Sequence, residues 1–407
     1  MAVAYSLLSA SAVRECAERM LALGLDDRLH SFRVDLSRLD AAAQRVAAIT
    51  RQAYPTLDVP LHARWRHFAL GGEDRWAALD NATPWRDPQQ RARAAFDLAI
   101  VSVLLDAGAG ARWSYRDPAA GAQIGRSEGL ALASLAMFAD GAFSSDPHTP
   151  LRADAKALQA LTGRTLARYF QVAPANPLPG VEGRIALLRR LGATIASKPH
   201  VFGGTDSPRP GRLFDHLIAS ARGGSIAAPR VLAEVLHALG PIWPSRLQLD
   251  GVALGDCWRY PARAALAATD QLVPLHKLSQ WLSYSLLEPL QAFGIAVTDL
   301  DGLTGLAEYR NGGLFIDMGV LTLRDGGAAA REHEIGSPLV VEWRALTVAL
   351  LDRLAERVRR KLRVDAAFFP LAKVMQGGTW AAGRAIARER RADGSPPITV
   401  ISDGTVL

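Results

Sequence analysis

The sequence predicts a mainly α-helical protein, and three observations carry the prediction. Apolar residues recur at the three-and-four spacing of a helix face through most of the chain. Alanine and leucine, both strong helix formers, dominate those segments. Alternating β-branched runs are scarce until the tail ITVISDGTVL, which is expected to form a short C-terminal strand.

The start, MAVAYSLLSASAVRECAERMLALG, has no basic region before its apolar part and soon carries Arg14, Glu15, Glu18 and Arg19, so it reads as a helix rather than a signal peptide. Helical spacing continues in DLSRLDAAAQRVAAITRQA, QQRARAAFDLAIVSVLLDAG, EGLALASLAMFADG, RADAKALQALTGRTLARYF, VEGRIALLRRLGATIAS and PRVLAEVLHALG, several ending at a glycine suited to a C-cap. VPLHKLSQWLSYSLLEPLQAFG is interrupted by Glu288 and Pro289, and no apolar run is long enough to span a bilayer. The longest amphipathic helix places Trp343, Leu346, Leu350, Leu354, Val358 and Leu362 on one face, backed by charged residues such as Asp352, Arg353 and Glu356. Breaks fall at 69–92, 143–150, 172–181 and 199–212, and no linker tract separates independent domains. A single helical domain over 1–407 is the simplest organisation, with lobes at 1–150 and 151–407 as the alternative division.

With 407 residues, 49% hydrophobic and 21% charged, the chain has ample material for a large core. Its formal charge of +7 favours anionic partners but is spread without a basic tail. A phosphorylated small molecule needs no more charge than this, and extended nucleic-acid binding is not demanded. The two cysteines, Cys16 and Cys257, form no CxxC pair, which argues against a disulfide framework or thiolate zinc site and points to a reducing cytoplasm. No GxSxG elbow, HExxH motif, Walker loop or strand-following GxGxxG occurs, so serine hydrolase, zinc protease and nucleotide-dependent dehydrogenase readings lose their support, and no cofactor is expected.

The most informative stretch is TDLDGLTGLAEYRNGGLFIDMGVL, residues 298–321, which crowds Asp299, Asp301, Glu308, Arg310 and Asp317 into an apolar, glycine-punctuated segment. A helix starting at Asp301 as N-cap places 301, 304 or 305, and 308 on one face, so that Asp301 and Glu308 converge. Asn311, Gly312 and Gly313 then end that helix and allow another at LFIDMG. The alternative is that Asp301 is only a cap and Glu308–Arg310 a solvated pair.

Read with the preceding residues from Asp256, this segment resembles the queuosine-nucleotide N-glycosylase (queuosine salvage) family, with its Tyr-Lys-x-x-Gln helix, acidic Leu-Thr turn, Ala-Asp-Tyr-Arg motif and Leu-Gly-x-Leu. The matching residues are His276-Lys277-Leu278-Ser279-Gln280, Asp299 to Thr304, Ala307-Glu308-Tyr309-Arg310 and Met318-Gly319-Val320-Leu321, with Glu308 where that family has Asp. A closer likeness, carried by VPLHARWRHF, RSEGLALASLAMFADGAFSSDP, LVPLHKLSQWLSYSLLEPLQ, GGTWAAGR and SDGTVL as well, is to a uracil-catabolism family long catalogued as a domain of unknown function and implicated in ribosylurea breakdown. The resemblance implies a DNA-glycosylase-like helical core, a ribosyl or ribosyl-phosphate substrate, and cleavage to urea and the sugar. Asp301 and Glu308, with Asp299 in reserve, are then the candidate acid and base, while Lys277, Arg310, His276 and Gln280 orient them or hold substrate.

Three further clusters are candidates for binding. Arg64, Arg66 and His67, with His62 and Arg75, lie in an aromatic stretch suited to phosphate, or else are surface charge beside Trp65 and Phe68 as core anchors. The two histidines lack a carboxylate or thiolate at metal spacing, so no metal site is expected. Trp113, Tyr115, Arg126, Ser127 and Glu128 flank a glycine-rich turn, and Ser144, Ser145 and Asp146 suit ribose hydroxyls or urea, although Ser before Glu is also an ordinary cap. GGTWAAGR resembles a phosphate turn ahead of a helix, with Thr379 and Arg384 available to an anion. The function expected is an N-ribosyl hydrolase, and the alternative is a non-catalytic helical nucleotide- or nucleic-acid-binding protein.

Overall fold

The computed structural model describes residues 2–110, 112–204, 207–243, 247–260 and 271–401. The fold is mainly α. Its longer helices are α1 (Ala10–Leu25), α2 (Leu39–Ala53), α3 (Pro88–Leu104), α4 (Arg126–Ala139), α5 (Val181–Ser197), α6 (Ala228–Leu239), α7 (Lys277–Ala292), α8 (Tyr309–Asp317), α9 (Pro338–Leu362) and α10 (Trp380–Arg390). Among the described residues, strands are two or three residues long and pair only as two-stranded ribbons. The expected C-terminal strand is Thr399–Ile401, parallel to Glu332–Glu334; the SDGTVL end of that tail lies outside the described residues.

Packing divides the chain into two compact units, one made of Met1–His62, Ser245–Gln280 and Asp299–Ile401, the other chiefly of Ala63–Pro244 and Trp281–Thr298. In the first unit α9 is the spine. Ser337 caps it by accepting from Val340 N, Pro338 opens it, and Arg359, Arg360 and Lys361 complement its C-terminal dipole. The predicted face is buried against α1 and α2, and α8 packs on α9 and α10. α9 also buries Glu342, which accepts from His30 N at 2.9 Å and Ser31 N at 2.8 Å and from the Tyr260 hydroxyl. In the second unit α3 and α4 pack together, and the buried Asp97 of α3 pairs with Arg209.

Local chemistry moves several predicted boundaries. RADAKALQALTGRTLARYF forms two short helices, Ala155–Ala160 and Gly163–Tyr169, because Thr162 turns its hydroxyl onto Thr165 N and starts a new one. The 69–92 break holds a helix at Arg75–Ala82, capped by Asp74. In the acidic stretch, Leu300–Gly302 makes a single 3₁₀ turn, 303–308 is non-helical, and α8 begins at Tyr309 and runs straight through Asn311–Gly313. The helix therefore does not start at Asp301.

Candidate active site

Glu308 is the N-cap of α8. Its Oε2 accepts from Arg310 N at 2.7 Å and its Oε1 from Asn311 N at 2.6 Å, so both oxygens are fixed by backbone. Burial pushes this carboxyl above the usual carboxylate range, against the opposing pull of the two backbone N–H groups and of the Lys277 and Arg310 charges. Glutamate is not among the preferred N-cap residues, which are Ser, Thr, Asp and Asn. Stability alone gives no reason for it here. Arg310 is buried, donates from Nη1 to Gly394 O at 2.9 Å and stands with Cζ 5.1 Å from the Tyr309 ring centroid.

Lys277 opens α7, and its charge reaches Glu308 from that second helix start. What places it was not singled out from sequence. Lys277 N donates to Asp256 Oδ2 at 2.9 Å, and Asp256 is held bidentately by Arg344 of α9, both contacts being 2.8 Å. Trp258 Nε1 donates to Asp256 Oδ1 at 2.7 Å. Burial opposes ionisation of Asp256, yet Arg344, Trp258 and the Lys277 backbone N–H outweigh it and hold the carboxyl well below the usual carboxylate range. Arg344 Nε donates in turn to Ala307 O at 3.3 Å, one residue before Glu308. A signal existed in the sequence: Glu342 and Arg344 are charges inside the apolar run PLVVEWRALTVALL.

The other predicted catalytic carboxylates do not join Glu308. Asp301 is more than a third exposed and spends both oxygens structurally, Oδ2 on Arg359 at 2.5 Å and Oδ1 on Leu371 N at 2.6 Å. Without a helix over 301–308 the shared-face argument lapses. Asp299 is exposed, in the left-handed region at φ 51°, and makes no side-chain cap bond. His276 is buried with Nε2 donating to Leu7 O at 2.9 Å, and burial lowers its pKa, so the neutral imidazole is a structural donor. Gln280 clamps Thr304, accepting from its N at 3.0 Å and donating to its hydroxyl, which holds the extended 303–308 segment.

The GGTWAAGR reading is corrected too. Met375–Thr379 is a π-helical turn continuous with the helix before it and with α10, so no helix N-terminus is free at Thr379. Its glycines serve packing: a Cβ on Gly378 would lie 2.6 Å from Thr50 Oγ1, and one on Gly383 would lie 2.1 Å from Arg310 O. Arg384 stacks with Cζ 4.4 Å from the Trp380 centroid. The turn also aims Gln376 Oε1 at His62 Nδ1, 2.9 Å away.

In the second unit Arg64 is fully buried and already neutralised. It donates to Ser102 Oγ at 2.8 Å and Ser127 O at 3.1 Å and pairs with Asp106 at 3.0 Å, with His67 Nδ1 at 3.3 Å. Ser127, for which an ordinary cap is one of two readings, instead donates to Asp106 at 2.6 Å, and α4 starts from Gly125 without a side-chain cap. Arg66 pairs with Glu288 on the wall of a pocket of about 220 Å³ that includes Trp65, Trp76 and Phe293. Trp113 is buried, its Nε1 donating to Phe170 O at 2.8 Å. Ser144 and Asp146 satisfy one turn: Ser144 Oγ donates to Asp146 O at 3.0 Å and Thr149 O at 2.9 Å, and Asp146 accepts from His148 N at 2.9 Å and Thr149 Oγ1 at 3.0 Å. Among the described residues no group of three His, Cys, Asp or Glu side chains is placed to hold a metal ion, and no helix is long and apolar enough to cross a membrane.

Comparison with known proteins adds an independent line. The family described as "Protein of unknown function (DUF1688)" matches residues 6–407. "Protein urg3" of Schizosaccharomyces pombe is 40% identical over 412 residues, covering 98% of each chain. "Uracil catabolism protein 4" of Lachancea kluyveri is 38% identical over 416 residues, covering 94% of this chain and 93% of the relative.

Proposed function

Since the chain belongs to the DUF1688 family, and a relative similar over nearly its whole length is named for uracil catabolism, we propose that it acts in uracil catabolism as an N-ribosyl hydrolase, releasing urea from ribosylurea or its 5′-phosphate. The observation that carries the reading is Glu308: a carboxyl raised by burial, fixed on both oxygens at a helix start, with Lys277 and Arg310 beside it.

Hydrolysis breaks the bond between the anomeric carbon and the urea nitrogen, with positive charge growing on the sugar ring and negative charge on the departing nitrogen. In this proposal Glu308, ionised, stands under the anomeric carbon, stabilises that charge and takes a proton from the attacking water. The hydroxyl goes to the sugar, and the departing nitrogen takes a proton supplied from the Lys277 ammonium, which is restored from Glu308 through solvent. A carboxyl titrating above its usual range is the better base near neutral pH. The backbone grip on both oxygens keeps it oriented without reorganisation.

Incubation of the purified protein with ribosylurea and with its 5′-phosphate, following urea and the sugar separately, tests the proposal. Urea and sugar released in equal amounts are expected. Tight binding of either compound with no urea formed would replace hydrolysis by the non-catalytic reading.

A further inference from the structure

We propose that the buried Asp256–Arg344 ion pair is the positioning element of this site, setting where the Lys277 ammonium stands against the Glu308 carboxyl. The inference rests on Glu308 as the reacting group. It adds two residues that touch neither the sugar nor the leaving group.

The argument is one of connectivity. Arg344 uses its planar fork in two directions: Nη1 and Nη2 bind Asp256, and Nε donates to Ala307 O, directly ahead of Glu308. Asp256 passes the constraint on, since its Oδ2 accepts from Lys277 N and its backbone O accepts from Leu275 N at 2.9 Å and His276 N at 3.1 Å. One guanidinium–carboxylate plane thus spans the starts of α7 and α8. Both partners are nearly inaccessible, at 2% and 5% side-chain exposure. A buried pair of this kind is weak support for stability, because well-packed apolar residues often serve as well, so its value lies in what it orients. The backbone agrees: His276, the residue before Lys277, is held at φ 46°, a conformation residues other than glycine seldom adopt, by its N–H on Asp256 and its ring on Leu7 O.

The charged groups concerned with Glu308 are Lys277 on α7 and Arg310 on α8, with Arg344 of α9 bonded at the adjoining Ala307 and Asp256 behind Lys277. Lys277 favours the ionised carboxyl. Loosening its anchor therefore moves the Glu308 titration to higher pH.

The test uses Arg344→Lys and Asp256→Asn in the full chain. Glu308 is followed without substrate by difference infrared titration, wild type against Glu308→Gln, and turnover of ribosylurea is measured across pH. Expected in Arg344→Lys, which keeps both charges and loses only the planar fork, are an upward-shifted Glu308 titration, an acid limb of the rate profile shifted the same way, and kcat lowered by up to about 10²-fold with KM little changed. Asp256→Asn, whose lost charge by itself pulls the Glu308 titration down, is read by its lowered kcat at little-changed KM and carries the test if Arg344→Lys does not fold. An unshifted Glu308 titration in folded Arg344→Lys, or an unchanged kcat in folded Asp256→Asn, overturns the proposal. Absence of turnover in the wild type sinks the hydrolase reading instead, and leaves the infrared result as the measure of positioning.

Discussion

Replacing Glu308 by Gln separates its cap bonds from the base role proposed for it, because the two differ in size. As a cap, Glu308 gives one oxygen to Arg310 N and the other to Asn311 N. Gln has one acceptor oxygen and an NH₂ group that faces the second N–H with a donor, so one cap bond is lost, a cost of about 1 kcal/mol. Part of this is offset, because the amide also removes the burial cost of a charge. As a base, the carboxylate is irreplaceable by an amide, and the loss of general base help is about 10²–10⁴-fold in rate, equivalent to roughly 3–5 kcal/mol of barrier. Stability and rate thus fall by clearly different amounts. Urea denaturation gives the first, and urea release under saturating ribosylurea gives the second. Glu308→Asp completes the series: Asp caps a helix better than Glu, but its carboxylate retreats by one carbon–carbon bond, so stability is kept while the rate drops. A folded Glu308→Gln protein releasing urea at the wild-type rate would refute the assignment and leave Glu308 as a cap.

Four further outcomes follow from the structure. Asp301→Asn keeps an acceptor for Leu371 N and loses a partly exposed pair with Arg359, so stability should change by no more than about 1 kcal/mol and turnover hardly at all; a large loss of turnover with the fold intact would restore Asp301 to the site. Arg64→Ala strands Asp106 and two serines inside the second unit and should cost about 3–5 kcal/mol in a urea melt; unchanged stability with a raised KM for the phosphorylated substrate alone would mean that Arg64 is an anion ligand after all. Turnover should fall as pH drops through the raised Glu308 pKa, placing the acid limb of the rate profile above the ordinary Glu value of about 4.3. For folding the signs are opposite at the two carboxyls. Ionised Glu308 costs stability above its raised pKa and the cost is relieved as pH falls through it, whereas Asp256's contribution is present above the ordinary carboxylate value and is lost as pH falls toward its depressed one. A melt series against pH in wild type, Glu308→Gln and Asp256→Asn checks both; a stability difference between wild type and Glu308→Gln that does not vary with pH removes the Glu308 claim.

The helices were legible because their apolar spacing is local. α9 extends from the predicted face by only its capped first turn, since Ser337 and Pro338 are themselves start signals. The acidic stretch misled because the N-cap rule favours Asp301 over Glu308. What decides between them is remote: Gln280 takes the Thr304 backbone N–H, and Arg359 with Leu371 N takes the Asp301 carboxylate. Residues 303–308 are thereby held out of the helix. GGT looked like an anion turn because glycine before a helix has two uses. Here the glycines admit α2, and the π-helical turn leaves no free helix start. Asp256 and Arg344 stand 88 positions apart, and no spacing rule joins them.

The basic charge balance carries a related lesson about substrate recognition. A formal charge of +7 counts cations, whereas binding depends on cations with capacity left for a ligand. In this chain many of the arginines are internal cross-links. Arg64 holds Asp106, Arg209 holds Asp97, and Arg184, fully buried, donates to the carbonyls of Leu105, Ala107 and Gly108. Guanidinium suits this task because it stays charged and offers five donors in a plane, so one side chain can tie several segments. The excess charge is therefore a poor argument for a phosphate or nucleic-acid partner. On the proposed function, selection falls to the few cations that border a reactive carboxyl, and of these Lys277 has what the arginines lack: a compact ammonium on a flexible stem, set beside Glu308 by a pair of groups that never meet the substrate.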